Sequence, residues 1–378
     1  MIAPTRGLRC AGAGALLVLA LAAGGCSIVP YYSQAITGEL ALLSAARPVS
    51  DWLADPATPT DLKQRLELAR RIRTFASQEL ALPDNRSYTE YADLHRSSAV
   101  WNVFATPELS LELKTWCYPL FGCAAYRGYF HQQDAEAMAA TLTASGLDVY
   151  VAPVPAYSTL GWLPDPLLNT FIRWPEPELA RLIFHELAHQ VVYVRDDTRF
   201  NESFATAVER EGVARWVAAR NDPALREQFE QQRARQADLL ELLQRTRQEL
   251  QAVYAGAAPP AQRRDQKVVI LEQLQARYRM LREQRLGGFD GLDEFFRLPW
   301  NNARLAAMAA YQDDVPAFEA LLAREHGDLR RFFLEVKKLA ALTPEERDAR
   351  LRALAPIPGD TRIRATMRVP QPFAAHTP

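Results

Sequence analysis

A chain of 378 residues, 48% hydrophobic and 24% charged with a formal net charge of −1, has ample material for an apolar core and reads as a soluble globular protein. Near-neutral charge removes the electrostatic argument for a nucleic-acid partner. The length permits two domains, but the composition forces no split.

At the N-terminus, Arg6 and Arg9 precede an apolar run from Ala11 to Ala23 that is too short to span a bilayer, the pattern of a targeting segment. The run ends in Leu21-Ala-Ala-Gly-Gly-Cys26, which resembles the lipobox of bacterial lipoproteins, small residues before a cysteine that becomes the lipidated first residue. That resemblance implies a signal peptide over residues 1–25 and a membrane anchor on Cys26. By the same resemblance to Gram-negative lipoproteins, Ser27 in place of aspartate implies the outer membrane, periplasmic face. An ordinary secretory signal with an incidental cysteine is the other reading. In an oxidising periplasm Cys117 and Cys123, separated by Tyr-Pro-Leu-Phe-Gly, close a small disulfide loop; half of a metal site is the alternative.

Residues 26–60, with five prolines or glycines in Pro30, Gly38, Pro48, Pro56 and Pro59, read as a tether containing a short helix around Glu39 to Ala45. Leu62, Leu66, Ala69, Ile72 and Phe75 then space an amphipathic helix from Asp61 to Leu80, with Thr60 as its cap. Short strands are expected at Ala99–Ala105, Leu109–Leu113, Tyr126–Phe130 and Leu147–Val154, with a helix from Asp134 to Ser145 ended near Gly146. These make a small sheet whose edge is a potential shelf for an extended substrate. In the following loop Tyr157, Gly161, Trp162 and Asp165 are candidates to line a substrate cleft, the alternative being a packed aromatic loop.

The stretch Pro175 to Gly212 carries the chemistry. His185-Glu186-Leu187-Ala188-His189 is an HExxH pattern in an apolar helix, and histidines four apart share one face, within reach of one Zn²⁺. Glu186 then stands where it takes a proton from activated water, the chemistry of a zinc hydrolase. A catalytic zinc needs a third protein ligand, and Val192 and Arg195 occupy the offsets a metzincin would use. Glu202, in Asn201-Glu-Ser-Phe-Ala at the start of a second helix capped by Asn201, is the best candidate, with Glu209 and Asp197 in reserve. Glu209, seven residues on, lies on nearly the same face and is either a partner to a ligand histidine or a surface charge.

After Asn221-Asp-Pro, Leu239, Leu243, Thr246, Leu250 and Val253, then Leu271, Leu274, Tyr278 and Leu281, keep heptad spacing on either side of a Gly/Ala/Pro loop. They predict an antiparallel helical hairpin over residues 223–286, an arm or lid and a possible surface for a protein partner. Residues 287–354 resume globular helical patterning, and residues 355–378 form a Pro-rich tail.

HELAH followed by NESFA resembles the gluzincins, and the closer similarity is to a family of bacterial lipoproteins regarded as predicted aminopeptidases. Trp116-Cys with Cys123, Tyr126–Phe130, Tyr157–Trp162, Phe184–Gln190, Asn201–Ala205 and Asn301-Asn-Ala carry it. The resemblance implies an α+β, mainly helical fold, with residues 61–222 a zincin-like core holding a small mixed sheet before the HExxH helix and the hairpin inserted after it. It implies Zn²⁺ on His185, His189 and Glu202, a peptide substrate, and an oxyanion donor farther along the chain. Tyr311 is the candidate donor, or else a tyrosine packing a helix end. Exopeptidase and endopeptidase action both remain open. The competing function is a lipid-anchored scaffold or chaperone with structural zinc, against which Glu186 argues, since a structural site has no use for it.

Overall fold

The computed structural model describes residues 28–118, 122–309 and 314–355, so Cys26, Tyr311 and the end of the Pro-rich tail lie outside the described residues. The chain is α+β and mainly helical, but three small sheets stand where one mixed sheet was expected.

The N-terminal segment is built into the fold from residue 28 onward, which corrects its reading as a tether. Helix α1 (Ile28–Ala45) is continuous, buries Leu42, and grips a distant segment through Gln34, which donates to Gly128 O and accepts from Phe130 N. These tertiary contacts supply what an 18-residue helix lacks by itself. Strand β1 (Arg47–Pro48), helix α2 (Val49–Ala54) and helix α3 (Thr60–Gln78) follow, and α3 buries Leu62, Leu66, Ala69 and Ile72 as its spacing requires. Thr60 is the first helical residue and not the cap, which is Pro59 with no side-chain bond.

The first sheet joins β1 antiparallel to β2 (Glu90–Ala92) and β2 parallel to β8 (Leu167–Leu168). The second places β3 (Val100–Pro107) between β6 (Arg127–Tyr129) and β7 (Leu147–Val154), all antiparallel. Helix α4 (Gln132–Ala144), closed by Gly146 at φ +80°, covers the face bearing Trp101, Val103 and Ala105. Ala303 and Ala307 of α10 (Asn302–Ala309) pack on Phe104 at the other face, which accounts for the small residues there. Leu109–Leu113 forms no strand. The free edges of this sheet are partly taken: Gln34 occupies Gly128 O and Phe130 N beside β6, and Asn301 donates to Val149 O of β7. A substrate shelf is therefore closed at those positions. The third sheet is the hairpin of β4 (Trp116–Tyr118) and β5 (Gly122–Ala124), joined by the Cys117–Cys123 disulfide.

Helices α5 (Glu176–His189) and α6 (Thr198–Arg220) form the centre of the main core, with α3 and with α11 (Val315–Arg324), α12 (Leu329–Ala340) and α13 (Pro344–Leu354) around them. Gly212 permits the close approach of α6, since a Cβ there would stand 2.8 Å from both Phe184 and Leu80. Asn221 at φ 54°, Asp222 as cap and Pro223 in the first turn then reverse the chain into α7 (Pro223–Ala255) and α8 (Pro260–Gln284). The hairpin seam buries Leu243, Thr246, Leu250, Leu274 and Tyr278, and the pair is docked rather than free. Phe296 of α9 (Asp293–Arg297), Trp300 and Leu305 complete its core, and Lys267 donates to Glu108 O (2.9 Å) and Asp148 (2.6 Å). Among the described residues no helix is long and apolar enough to cross a membrane.

Candidate metal centre

Helix α5 owes its stability to an apolar surface of Leu179, Leu182, Ile183 and Leu187, all buried. Pro177 sits in its first turn with Glu176 and Glu178, acidic residues that suit a helix N-terminus. One turn separates His185 from His189, and His189 is the last helical residue. A connector then folds the chain back. Asp196 takes a left-handed φ of 65° and accepts from Cys123 N, tying the disulfide hairpin to the connector. Asp197 caps α6 by accepting from Phe200 N (3.0 Å). The expected cap, Asn201, lies one residue past Phe200 in the helix and does a different job, accepting from Val194 N and donating to Val194 O, both at 2.7 Å. That double clamp fixes the connector against α6 immediately beside Glu202.

The result is a convergence of donor atoms. His185 Nε2 lies 3.1 Å from His189 Nε2 and 3.2 Å from Glu202 Oε2, and His189 Nε2 lies 3.8 Å from Glu202 Oε1. Two donors on one tetrahedral ion stand about 3.3 Å apart, given bonds of about 2.0–2.1 Å, so the three side chains fit a metal ion. Their side chains are only 7–17% exposed. His185, His189 and Glu202 are the residues among those described that group in this way. Asp197 is not of the set, because Arg347 holds its carboxylate at 2.8 Å.

Glu209 stands behind the centre. Its Oε2 meets His185 Nδ1 at 2.9 Å and Arg181 at 3.4 Å, which orients the ring with Nε2 toward Glu202. Burial would lower the His185 pKa, but the Glu202 and Glu209 carboxylates reverse this and hold it well above its usual value. For His189, whose nearest carboxylate oxygen is Glu202 Oε1 at 3.8 Å, burial wins and pushes it down to about 4, and its buried Nδ1 finds no acceptor among the described residues. A neutral imidazole is the form that binds a metal.

Glu186, adjacent in sequence, is pushed up to about 7 by burial, with Glu202 and Asp165 adding to the rise and His185 opposing it. Its neighbours are residues the motif does not reveal. Ser158 lies close enough to Glu186 to oppose its rise, and its hydroxyl donates to Asp165 at 3.1 Å. Asp165 is buried and accepts from Thr159 N (2.9 Å) and Thr159 Oγ1 (2.8 Å), so it shapes the loop and does not line an open cleft. Tyr88, at φ 64°, keeps its hydroxyl fully enclosed with no partner among the described residues, and feels the charges of Glu186 and Asp165.

Of the expected cleft residues, Tyr157 packs on Phe130 with ring centroids 5.1 Å apart. Gly161 has φ +82° and approaches Gln190, where a Cβ would stand 3.2 Å from that side chain. Trp162 is 88% exposed at the loop tip. Two tyrosines missed from sequence stand near Glu202: Tyr126, and Tyr193, whose ring is 6.5 Å from that of His189. Tyr126 lies in a segment that the sequence marked, but as a strand.

Fold and centre together define an α+β protein with a buried His-His-Glu donor set suited to a metal ion. Residues 30–351 match the family model described as "Putative aminopeptidase", and the chain belongs to that family, whose description supports peptidase activity. No curated protein and no solved structure matches the chain.

Proposed function

We propose that this protein is a zinc-dependent metallopeptidase of gluzincin type, acting on peptides as an aminopeptidase, with His185, His189 and Glu202 as metal ligands. The observation that carries the reading is the convergence of these three donors next to a buried Glu186. The donor set of two imidazoles and one carboxylate is a hydrolytic one, and Glu186 has no part in a purely structural site.

Zinc in the centre supplies Lewis acidity, lowering the pKa of water and polarising the scissile carbonyl. Glu186 accepts the proton at a carboxylate oxygen and passes it to the leaving amine. Ser158, whose hydroxyl donates to Asp165, lies beside that carboxylate and favours its charged form. Glu209 keeps the His185 ring in its tautomer and orientation through Nδ1. The hydroxyls of Tyr126 and Tyr193, both close enough to feel the Glu202 charge, are candidate donors for an oxyanion among the described residues. The Cys26 motif supports anchoring of this site in the cell envelope by a lipid, in the outer membrane.

Metal analysis and a broad peptide-library assay with a chelator control test the proposal. About one zinc per chain is expected, lost in His185→Ala, His189→Ala protein. Glu186→Gln should keep the metal and lose hydrolysis. One tightly held zinc with no cleavage of any peptide would overturn the enzymatic reading.

A further inference from the structure

Helix α1 carries one charged residue in 18, Glu39, where the chain's average of 24% would put about four. That one charge turns inward, for the Oε2 atom of Glu39 is completely enclosed. Gln34, Gly38 and Leu42, four residues apart, mark the inner side of the helix. Gln34 holds Gly128 O and Phe130 N, Gly38 lies against the Phe130 ring, where a Cβ would stand 2.1 Å from Cγ, and Leu42 is buried. Ile36 and Leu40 stand two residues to either side of Gly38, about 200° around the helix, and so on the opposite side. They are 58% and 59% exposed.

An exposed leucine is ordinary on a protein surface, but a helix with no charge on its outer side is normally covered there as well. From Ser33 to Ser44 the exposed residues are Ser33, Ile36, Thr37, Leu40, Ala41 and Ser44, none of them charged. Two of the three hydroxyls are turned back onto the helix: Thr37 Oγ1 donates to Ser33 O (2.8 Å) and Ser44 Oγ to Ala41 O (2.9 Å). A hydroxyl satisfied by its own helix asks nothing of water, as Ser and Thr do in helices that face lipid.

The start of the helix says what covers this side. Ile28 follows Cys26 by two residues, a reach of at most about 7 Å, so a lipid on Cys26 seated in a bilayer brings the first turn of α1 to headgroup level. Among the described residues no helix is long and apolar enough to cross a membrane, which leaves the uncharged side of α1 to lie along the surface.

We propose that the outer side of α1 rests on the lipid bilayer, with Ile36 and Leu40 inserted at the boundary between headgroups and acyl chains. This rests on the reading of Cys26 as the anchor. Because the inner side is locked to Gly128 and Phe130, the helix is a mount: the body of the protein sits directly against the membrane in one orientation and does not swing on a tether.

The test uses the chain as the cell processes it, reconstituted into vesicles of phosphatidylethanolamine and phosphatidylglycerol. Ile36→Cys, Leu40→Cys and Leu334→Cys proteins each carry a thiol-linked fluorophore. Leu334, on α12, is 59% exposed, so in the free chain all three labels meet water alike. The unsubstituted chain, with Cys117 and Cys123 joined, is the blank. Iodide should quench the labels at 36 and 40 at least about fivefold less than the label at 334, and lipids with a doxyl group high on the acyl chain should quench them at least about fivefold more. Equal iodide quenching at the three positions overturns the proposal. Shielding from iodide without doxyl quenching also overturns it and assigns this side to a second copy or another protein. Intact mass tests the anchor separately. A processed chain with no lipid on Cys26 refutes the anchor reading, and doxyl quenching after that chain is mixed with vesicles then decides the side of α1: its presence supports the proposal and its absence overturns it.

Discussion

Replacing Glu209 by alanine removes the carboxylate that His185 Nδ1 meets at 2.9 Å and Arg181 at 3.4 Å. The His185 ring then loses the group that fixes its tautomer and turns Nε2 toward His189 and Glu202. Loss of such an orienting partner costs about 10–100-fold in metal affinity. That corresponds to about 1.4–2.7 kcal/mol. The fold suffers less than a buried carboxylate would suggest, because Arg181 keeps Glu178 at 2.7 Å, so a stability loss of about 1–2 kcal/mol is expected. Chelator competition measures the first quantity, and urea unfolding of the metal-free protein measures the second. Glu209→Gln separates orientation from charge, since its amide oxygen still accepts from Nδ1–H, and it should retain metal affinity to within about tenfold. Parental metal affinity in Glu209→Ala would refute the reasoning. So would equal losses in the alanine and glutamine variants that merely track their stability.

Three further expectations follow from other contacts. Asn201→Ala leaves Val194 N and O without their 2.7 Å partners and should cost about 1–2 kcal/mol in urea unfolding, with weaker metal binding because Glu202 is no longer braced; unchanged metal affinity would separate the clamp from the centre. Lys267→Met strips Asp148 of its 2.6 Å cation and should destabilise by about 3 kcal/mol and speed protease nicking near Gly256, while leaving metal affinity untouched; a parallel fall in affinity would contradict a purely structural role for the docked hairpin. Glu39 titrates higher in the folded chain than unfolded, so the folded state holds the extra proton and stability falls as pH rises from about 4.5 to about 7. Glu39→Gln removes this fall: it should match wild type at pH 4.5 and exceed it at pH 8 by about 1 kcal/mol after solvent screening, and equal urea midpoints at pH 8 would show the carboxylate to be unstrained.

What the sequence determined by itself is local. The four-residue spacing of His185 and His189 places both on one helical face whatever the rest of the chain does, because the helical period is a property of the backbone. Asn221-Asp-Pro and the heptad leucines specify a reversal and a hairpin in the same way, and Cys117 with Cys123 needed only a short turn to meet. Glu202 stood close enough in sequence, in a second helix, to be picked out as a ligand candidate. The errors arose where the deciding contacts are remote. Asn201 looked like a cap because residue type alone cannot tell an N-terminal cap from a side chain that clamps a preceding connector. Residues 26–60 read as a tether with only a short helix around Glu39 to Ala45 because the contacts that make Ile28–Ala45 one helix, through Leu42 and Gln34, involve residues up to 96 positions away. Tyr126 and Ser158 lie in segments the sequence marked for other reasons and Tyr88 in none, and no local pattern places them beside Glu202 and Glu186 or gives the environment of Glu39. Whether a carboxylate is solvated on a helix surface or enclosed beside Asp165 is decided by what packs over it, and only the tertiary structure supplies that.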